Sequence, residues 1–179
     1  MKLQTLYHWF YCLPISRMLL LLACGCGAML LLRNRCCALR CWRWLCGAGL
    51  AAWAAVVIHM TLLSRVPEPG LANSLRLLDS YRIWLREGNR EILRSNFMNL
   101  GLFLPGGLLL IQLMPRRWTR RKRFLSALTL AAAFSIAIER MQYITLLGQM
   151  EADDVLHNGL GAALGILADL AVPLKKTDV

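Results

Sequence analysis

The chain has 179 residues, of which 58% are hydrophobic and only 17% charged, and its mean hydropathy is +0.49. A soluble domain carries about 25% charged residues, and a disordered chain is poor in apolar ones, so both classes are excluded. The net charge of +11 does not indicate a nucleic-acid-binding protein, because the basic residues lie between long apolar runs. The sequence predicts an all-α fold, a polytopic membrane helix bundle.

Five segments are predicted to cross a membrane, since a spanning helix needs about 20 apolar residues. The first, 18–32, is short and recruits residues 13–16 while Arg17 snorkels toward the head groups. The other four lie at residues 44–64, 97–114, 124–147 and 155–174. The chain is therefore divided into a Cys-rich segment with the first helix (1–43), a four-helix membrane domain (44–174) and a tail (175–179).

The basic residues are distributed unequally between the two sides of this bundle. Twelve of the 21 lie in the first connection, the third connection and the tail, beside two acids, whereas nine lie with eight acids on the other side. Lysine and arginine beside short loops resist translocation. We therefore expect the N-terminus outside and the C-terminus in the cytoplasm.

A lipoprotein cleavage box is an alternative interpretation of Leu21-Leu22-Ala23-Cys24. Cleavage there would carry the arginine cluster at residues 33–43 across the membrane, which the charge bias opposes.

All seven cysteines lie in the first 46 residues. An odd number of thiols on two sides of a membrane does not suit a disulfide framework. Cys36-Cys37-x3-Cys41 also lacks the paired spacing of a zinc site, so no metal is predicted. The cysteines are interpreted as small helix residues and inner-face thiols.

An outer connection follows the second predicted span and opens with the turn Pro67-Glu68-Pro69-Gly70. Leu75, Leu78, Tyr81 and Leu85 then recur at helical spacing, which predicts a short amphipathic helix that ends near Gly88. Trp84 suits an interfacial depth. This helix either covers a site, presents arginines to lipid phosphates, or simply floats at the interface.

Polar residues enter three of the predicted spans at the ends that face outward. These residues are Asn96 and Asn99 in the third span, Glu139 and Gln142 in the fourth, and Asp153, Asp154, His157 and Asn158 in the fifth. Such groups are costly at membrane depth and mark either function or helix pairing. We expect them to converge on one polar site below the outer head groups, although hydrogen bonds between helices are the simpler interpretation.

Helix-breaking and small residues are predicted to shape the same spans. Pro105 removes a backbone donor and predicts a kink, and Gly107 allows a neighbouring backbone to approach. Gly161 and Gly165 form a small-residue stripe suited to close helix packing.

These residues resemble the VanZ-like family of bacterial membrane proteins. The resemblance rests on Asn99-x3-Phe103-x-Pro105-x-Gly107, and on Glu139-x2-Gln142 followed by Asp153-Asp154-x3-Asn158-x2-Gly161-x3-Gly165. It covers residue 44 to the C-terminus and implies a four-helix unit in the bacterial cell membrane. It also implies an envelope-related function, since teicoplanin resistance is attributed to the founding member.

The sequence departs from the family pattern in the connection before the paired aspartates. Family members often carry an arginine there, where this chain has Gly148-Gln149-Met150-Glu151. Arg140 or an arginine of the outer helix is expected to take its place.

Three functions are consistent with the sequence. The preferred one is a non-catalytic membrane protein whose polar cluster binds membrane lipids or an envelope lipid intermediate, with no cofactor. The second is an intramembrane enzyme acting on a lipid phosphate or ester, with Glu139 and Asp154 as acid and base and His157 assisting, although no nucleophile is evident. The third is a transporter or channel with Glu139 as a proton or cation site. The sequence has no internal inverted repeat, which argues against this function.

Overall fold

The computed structural model describes residues 15–36, 41–67 and 74–172. Over these residues the chain forms six α-helices: α1 Ile15–Cys36, α2 Trp42–Ile58, α3 Asp79–Glu87, α4 Arg90–Leu113, α5 Arg120–Thr145 and α6 Ala152–Ala171. A π-helical turn, His59–Leu63, extends α2. The predicted all-helical class is confirmed.

Three helical segments in the described part of the chain are long and apolar enough to cross a membrane: Trp42–Leu63, Arg90–Leu113 and Arg120–Thr145. Helix α6 has 20 residues but contains three aspartates, and α1 has a shorter apolar stretch, Cys24–Arg33. The membrane character of the bundle is thus confirmed, whereas the count of five spans stays a prediction. The predicted outer N-terminus, the tail, Cys12, Cys37 and most of the turn at 67–70 lie outside the described residues.

Large apolar side chains cover the outside of the bundle. Exposed examples are Leu125, Leu130, Ile136 and Ile144 on α5, and Leu160, Leu164 and Leu167 on α6. Contiguous apolar surface of this kind is rare on a soluble monomer and is what a lipid-facing helix presents.

Helices α4 and α6 pack with their backbones in direct contact at the centre of the bundle. Ideal Cβ atoms added to Gly107, Gly161 and Gly165 would lie 2.1, 2.1 and 2.0 Å from the carbonyl oxygens of Ala162, Leu100 and Leu104. No side chain fits in that space, so glycine at these positions sets the distance between the two helices.

Helix α2 packs against α4 beside Pro105, through which α4 continues without a break. The Trp53 ring lies directly over Gly106, whose missing side chain leaves room for it. Trp53 Nε1 donates a hydrogen bond to the Leu102 carbonyl oxygen at 2.8 Å. This bond joins α2 to α4 in the turn before Pro105.

The outer helix α3 begins at Asp79, four residues later than the apolar spacing predicts. Leu78 has a left-handed backbone with φ of 62°, which ends any helix before it. Leu75, Leu78 and Leu85 are exposed, and Ser80 is the buried residue of α3. The predicted apolar stripe therefore does not face the protein. Polar contacts hold the side of α3 that faces the bundle. The helix ends at Gly88, as predicted.

The two ends of the bundle differ in charge, and we call them the acidic end and the basic end. The acidic end holds Glu139, Glu151 and Asp154, where α5 ends and α6 begins. The basic end holds Arg33 and Arg123 together with Asp169, where α1 and α6 end and α5 begins. The described residues beside the predicted first and third connections thus lie at one end, and the orientation of the chain across the membrane stays a prediction.

Candidate functional site

A buried carboxylate lies at the acidic end, on the last turns of α5. Glu139 is only 2% exposed, and its Oε2 accepts a hydrogen bond from the Glu151 backbone N–H at 3.0 Å. The negative charges of Glu151 and Asp154 act on it from the start of α6. The α5–α6 connection therefore brings three carboxylates together.

Arg65 supplies the positive charge of this group, which sequence reasoning missed. Its Nη1 donates to the Leu147 carbonyl oxygen at 3.4 Å and lies over Gly148, where a Cβ would come within 2.6 Å of it. Its charge acts on all three carboxylates, Glu139, Glu151 and Asp154. Arg140, the arginine expected here from the sequence, is exposed on α5, and Arg65 is the arginine whose charge acts on these carboxyl groups. The family pattern has its arginine after α5, whereas Arg65 precedes α3, so the pattern did not indicate Arg65 as part of this group.

Asn99 joins the group from α4. Its side-chain amide lies within hydrogen-bonding range of the Asp154 carboxylate and favours the ionised form of that carboxyl group. We call Glu139, Glu151, Asp154, Asn99 and Arg65 the acidic cluster.

Asp153 holds the outer helix through both of its carboxylate oxygens. Its Oδ1 accepts from the Leu78 N–H at 2.5 Å and its Oδ2 from the Ser80 N–H at 2.8 Å. The carboxylate thereby caps the first turn of α3, where the helix dipole favours a negative charge. Both oxygens of Asp153 are used in this contact.

His157 and Asn96 complete the attachment of α3. His157 Nδ1 lies 2.6 Å from the Asp153 carbonyl oxygen, which can only accept, so Nδ1 carries a proton. Nε2 is hydrogen-bonded to the Tyr81 hydroxyl at 2.8 Å. Asn96 Nδ2 donates to Ser80 Oγ at 3.0 Å. The outer helix is therefore anchored to α4 and α6 and does not float.

The last two predicted site residues bind other helices. Gln142 Nε2 donates to the Thr61 carbonyl oxygen at 3.0 Å, within the π-helical turn that ends α2. Asn158 Nδ2 donates to Ser135 Oγ at 2.9 Å, and its buried Oδ1 has no partner among the described residues. The structure thus divides the eight predicted residues: Glu139, Asp154 and Asn99 lie in the acidic cluster, and the other five pair helices.

A small cavity of about 140 Å³ lies between α3 and the α5–α6 connection, beside the acidic cluster. Glu151 and Asp153 line it together with Ser74 and Gln149. Ser74 is joined to this connection by backbone hydrogen bonds to Met150 and from Ala152. In the described ranges no three His, Cys, Asp or Glu side chains are placed to hold a metal ion.

Glu151 lies between α5 and α6, outside the spanning helices, and titrates near neutral pH. Burial raises the pKa of its carboxyl from 4.5 to about 7, the charges of Asp154 and Asp153 add to the rise, and Arg65 opposes it. The folded state therefore binds this proton more tightly than the unfolded chain does. The resulting stabilisation is complete below pH 4.5 and is lost as the pH rises to about 7.

We expect Glu151→Gln to raise the melting temperature at about pH 8 and to leave it nearly unchanged at about pH 5, because glutamine stays neutral throughout. Thermal unfolding of the purified protein in detergent measures this. Glu87→Gln, which removes an exposed carboxylate of α3, is the control and should have no such pH dependence. An equal change at both pH values would contradict the assignment.

The sequence analysis also did not predict a second polar group, which lies at the basic end. Arg33 and Asp169 are 3% and 4% exposed, and Arg33 Nη1 donates to Asp169 Oδ1 at 2.7 Å. Gln112 donates to the same oxygen and accepts from Trp42 Nε1 at 3.2 Å. The sequence did contain a signal for this group, because Gln112 and Asp169 each interrupt an apolar run. Polar residues at membrane depth mark function or helix pairing, and Glu139 was selected on the same ground.

The comparisons with known proteins give one match. A family model described as VanZ/LLP1 matches residues 50–171, more than half of the chain. No curated protein matches. No solved structure matches either.

Proposed function

The chain belongs to the VanZ/LLP1 family, and on that premise we propose that it is a non-catalytic protein of the bacterial cell membrane that alters the cell envelope. In this proposal it binds an envelope lipid or a lipid-linked cell-wall intermediate at the acidic cluster and changes access of teicoplanin-type glycopeptides. The N-terminus is placed outside and the C-terminus in the cytoplasm, so that the acidic cluster lies at the outer leaflet.

The observation that carries the proposal is the grouping of Glu139, Glu151 and Asp154 around a single arginine. All three carboxyl groups have Arg65 as a positive partner, and burial makes their ionised forms costly. Packing alone does not need three carboxyl groups at membrane depth. A bound cation would favour their ionised forms.

The same charge balance favours a particular class of head group. An ammonium group is attracted by the carboxylates and can donate hydrogen bonds to their oxygens. We infer an amine-bearing ligand, such as an ethanolamine or amino-sugar head group. The attached outer helix α3 covers the neighbouring cavity and limits the space for the ligand.

Expression of the protein in a glycopeptide-sensitive bacterium should lower susceptibility to teicoplanin several-fold and to vancomycin less, because only teicoplanin carries a lipid tail. We expect Glu139→Gln and Asp154→Asn each to abolish the effect, since each removes one carboxylate of the acidic cluster with little change in shape. Minimum inhibitory concentrations measure this.

Glu87→Gln is the matched control, because it also removes one carboxylate but from the exposed side of α3. It should keep the full effect. Membrane quantities of all variants are compared by immunoblot, so that loss of function is separated from loss of protein. Unchanged susceptibility with well-expressed wild-type protein would overturn the glycopeptide part of the proposal.

The proximity of Glu139 and Asp154 also favours a second candidate, an intramembrane enzyme that acts on a lipid phosphate or ester with these carboxylates as acid and base. His157 is already engaged, because its two ring nitrogens are hydrogen-bonded to the Tyr81 hydroxyl and to the Asp153 carbonyl oxygen. Incubation of the purified protein with labelled lipid precursors tests this candidate. Turnover that Glu139→Gln and Asp154→Asn remove would replace the binding proposal.

A further inference from the structure

A cavity at the basic end is lined mainly by arginines. It is a half-open space of about 250 Å³ where α1 and α6 end and α5 begins. Its polar lining consists of Arg33, Arg116, Arg120, Arg123, Gln112 and Asp169. Among the described residues, four guanidinium groups thus line one small space with a single carboxylate.

That carboxylate is already committed to other groups. Asp169 Oδ1 accepts from Arg33 Nη1 at 2.7 Å and from the Gln112 amide, and its Oδ2 lies 4.0 Å from Arg123 Nη2. Arg33 is further fixed by donation to the Val172 carbonyl oxygen at 2.5 Å. One carboxylate balances one of the four guanidinium charges, so the described lining of the cavity carries a net positive charge.

Arg123 is held in place facing this cavity. Its Nη2 donates to the Ile111 carbonyl oxygen at 3.1 Å, and its buried Nε has no hydrogen-bond partner among the described residues. The charges of Arg33, Arg116 and Arg120 all repel it. An anion in the cavity would relieve this repulsion and accept from the unused donor.

We propose that this cavity binds the phosphate group of an anionic lipid. Guanidinium groups bind phosphate oxygens in pairs, and basic pockets between helix ends on the cytoplasmic side suit lipid phosphates. A cavity of about 250 Å³ accepts a head group and leaves the acyl chains to lie along the apolar helices. The site is remote from the acidic cluster and independent of the function proposed for it.

The test compares two double variants of the same connection. All four replaced arginines are exposed, but Arg116→Gln with Arg120→Gln removes two charges that line the cavity, and Arg117→Gln with Arg121→Gln removes two that do not. Full-length protein in neutral detergent is titrated with short-chain phosphatidylglycerol, with phosphatidylcholine, or with inorganic phosphate. Thermal stabilisation and native mass spectrometry report binding.

We expect phosphatidylglycerol to bind the wild type and the 117/121 variant alike, and the 116/120 variant at least about tenfold more weakly, because charge-assisted hydrogen bonds are lost. Phosphatidylcholine, whose phosphate is neutralised by its own ammonium group, should bind weakly. The same variant pattern with inorganic phosphate and no gain from the lipid would overturn the lipid assignment in favour of soluble phosphate.

Equal weakening in both double variants would show that only the general charge of the connection attracts lipid, and would overturn the proposal. Equal binding of phosphatidylcholine and phosphatidylglycerol would do the same. If the 116/120 variant does not fold, Arg120→Gln against Arg121→Gln gives the same comparison with one charge removed from each.

Discussion

Replacement of Gly165 by alanine is expected to separate α4 from α6 and to destabilise the fold severely. The added Cβ would lie 2.0 Å from the Leu104 carbonyl oxygen and 2.9 Å from the Leu108 backbone nitrogen. Both contacts are with backbone, which cannot turn aside as a flexible side chain does. Overpacking in a rigid core costs about 1–3 kcal/mol and occasionally more, and we expect the upper part of that range or beyond.

Gly159 offers a control on the same helix, because a Cβ there meets nothing within 4 Å. Alanine is a better helix former than glycine by about 1 kcal/mol, so Gly159→Ala should be neutral or slightly stabilising. Unfolding of both variants in detergent, followed by circular dichroism and by size-exclusion chromatography, measures the difference. Equal stability of Gly165→Ala and Gly159→Ala would show that the two backbones are not in contact.

The spacing of Gly161 and Gly165 predicted a close helix contact but not the helix that makes it. A stripe of small residues in the sequence does not say which helix packs against it, because the neighbouring helices and the lipid are all apolar. Gly107 was recognised as a point of approach for the same reason. The pairing of α4 with α6 follows from the fold, in which carbonyl oxygens of α4 meet the glycines of α6.

The outer helix was predicted from the spacing of Leu75, Leu78 and Leu85, and its end at Gly88 agrees with the sequence. Its beginning does not, because the Asp153 carboxylate caps the chain at Leu78 and Ser80. A cap supplied from a residue more than 70 positions away leaves no mark in the local sequence. Hydrophobic periodicity identifies a helix more reliably than its ends for this reason.

The sequence predicted which residues form the polar groups at this end of the bundle, but it did not predict which of them belong to the acidic cluster and which hold α3. Glu139 and Asp154 lie together, whereas Asp153 and His157, which have the same chemistry and nearly the same depth, hold α3. One residue along a helix turns a side chain by about 100°, which is enough to separate the Asp153 and Asp154 carboxylates. Arg65 lies far away in sequence and reaches the site only through the fold.

The second large effect is expected at the buried ion pair of the basic end, where Asp169→Asn leaves Arg33 without its counter-charge. Breaking a buried pair from one side costs about 3–5 kcal/mol, because the remaining charge stays desolvated. Arg33→Met should cost less, since Asp169 keeps the Gln112 amide and has Arg123 Nη2 at 4.0 Å.

The double variant Arg33→Met with Asp169→Asn separates the charge effect from a general loss of packing. It buries no unpaired charge from this pair, and the introduced amide would still offer an oxygen to Gln112, so we expect it to regain most of the stability that Asp169→Asn loses. Unfolding is measured in phosphate-free neutral detergent, so that an anion bound to the neighbouring arginines does not contribute. Additive losses in the double variant would mean that Arg33 and Asp169 do not depend on each other, and that another contact joins α1 to the end of α6.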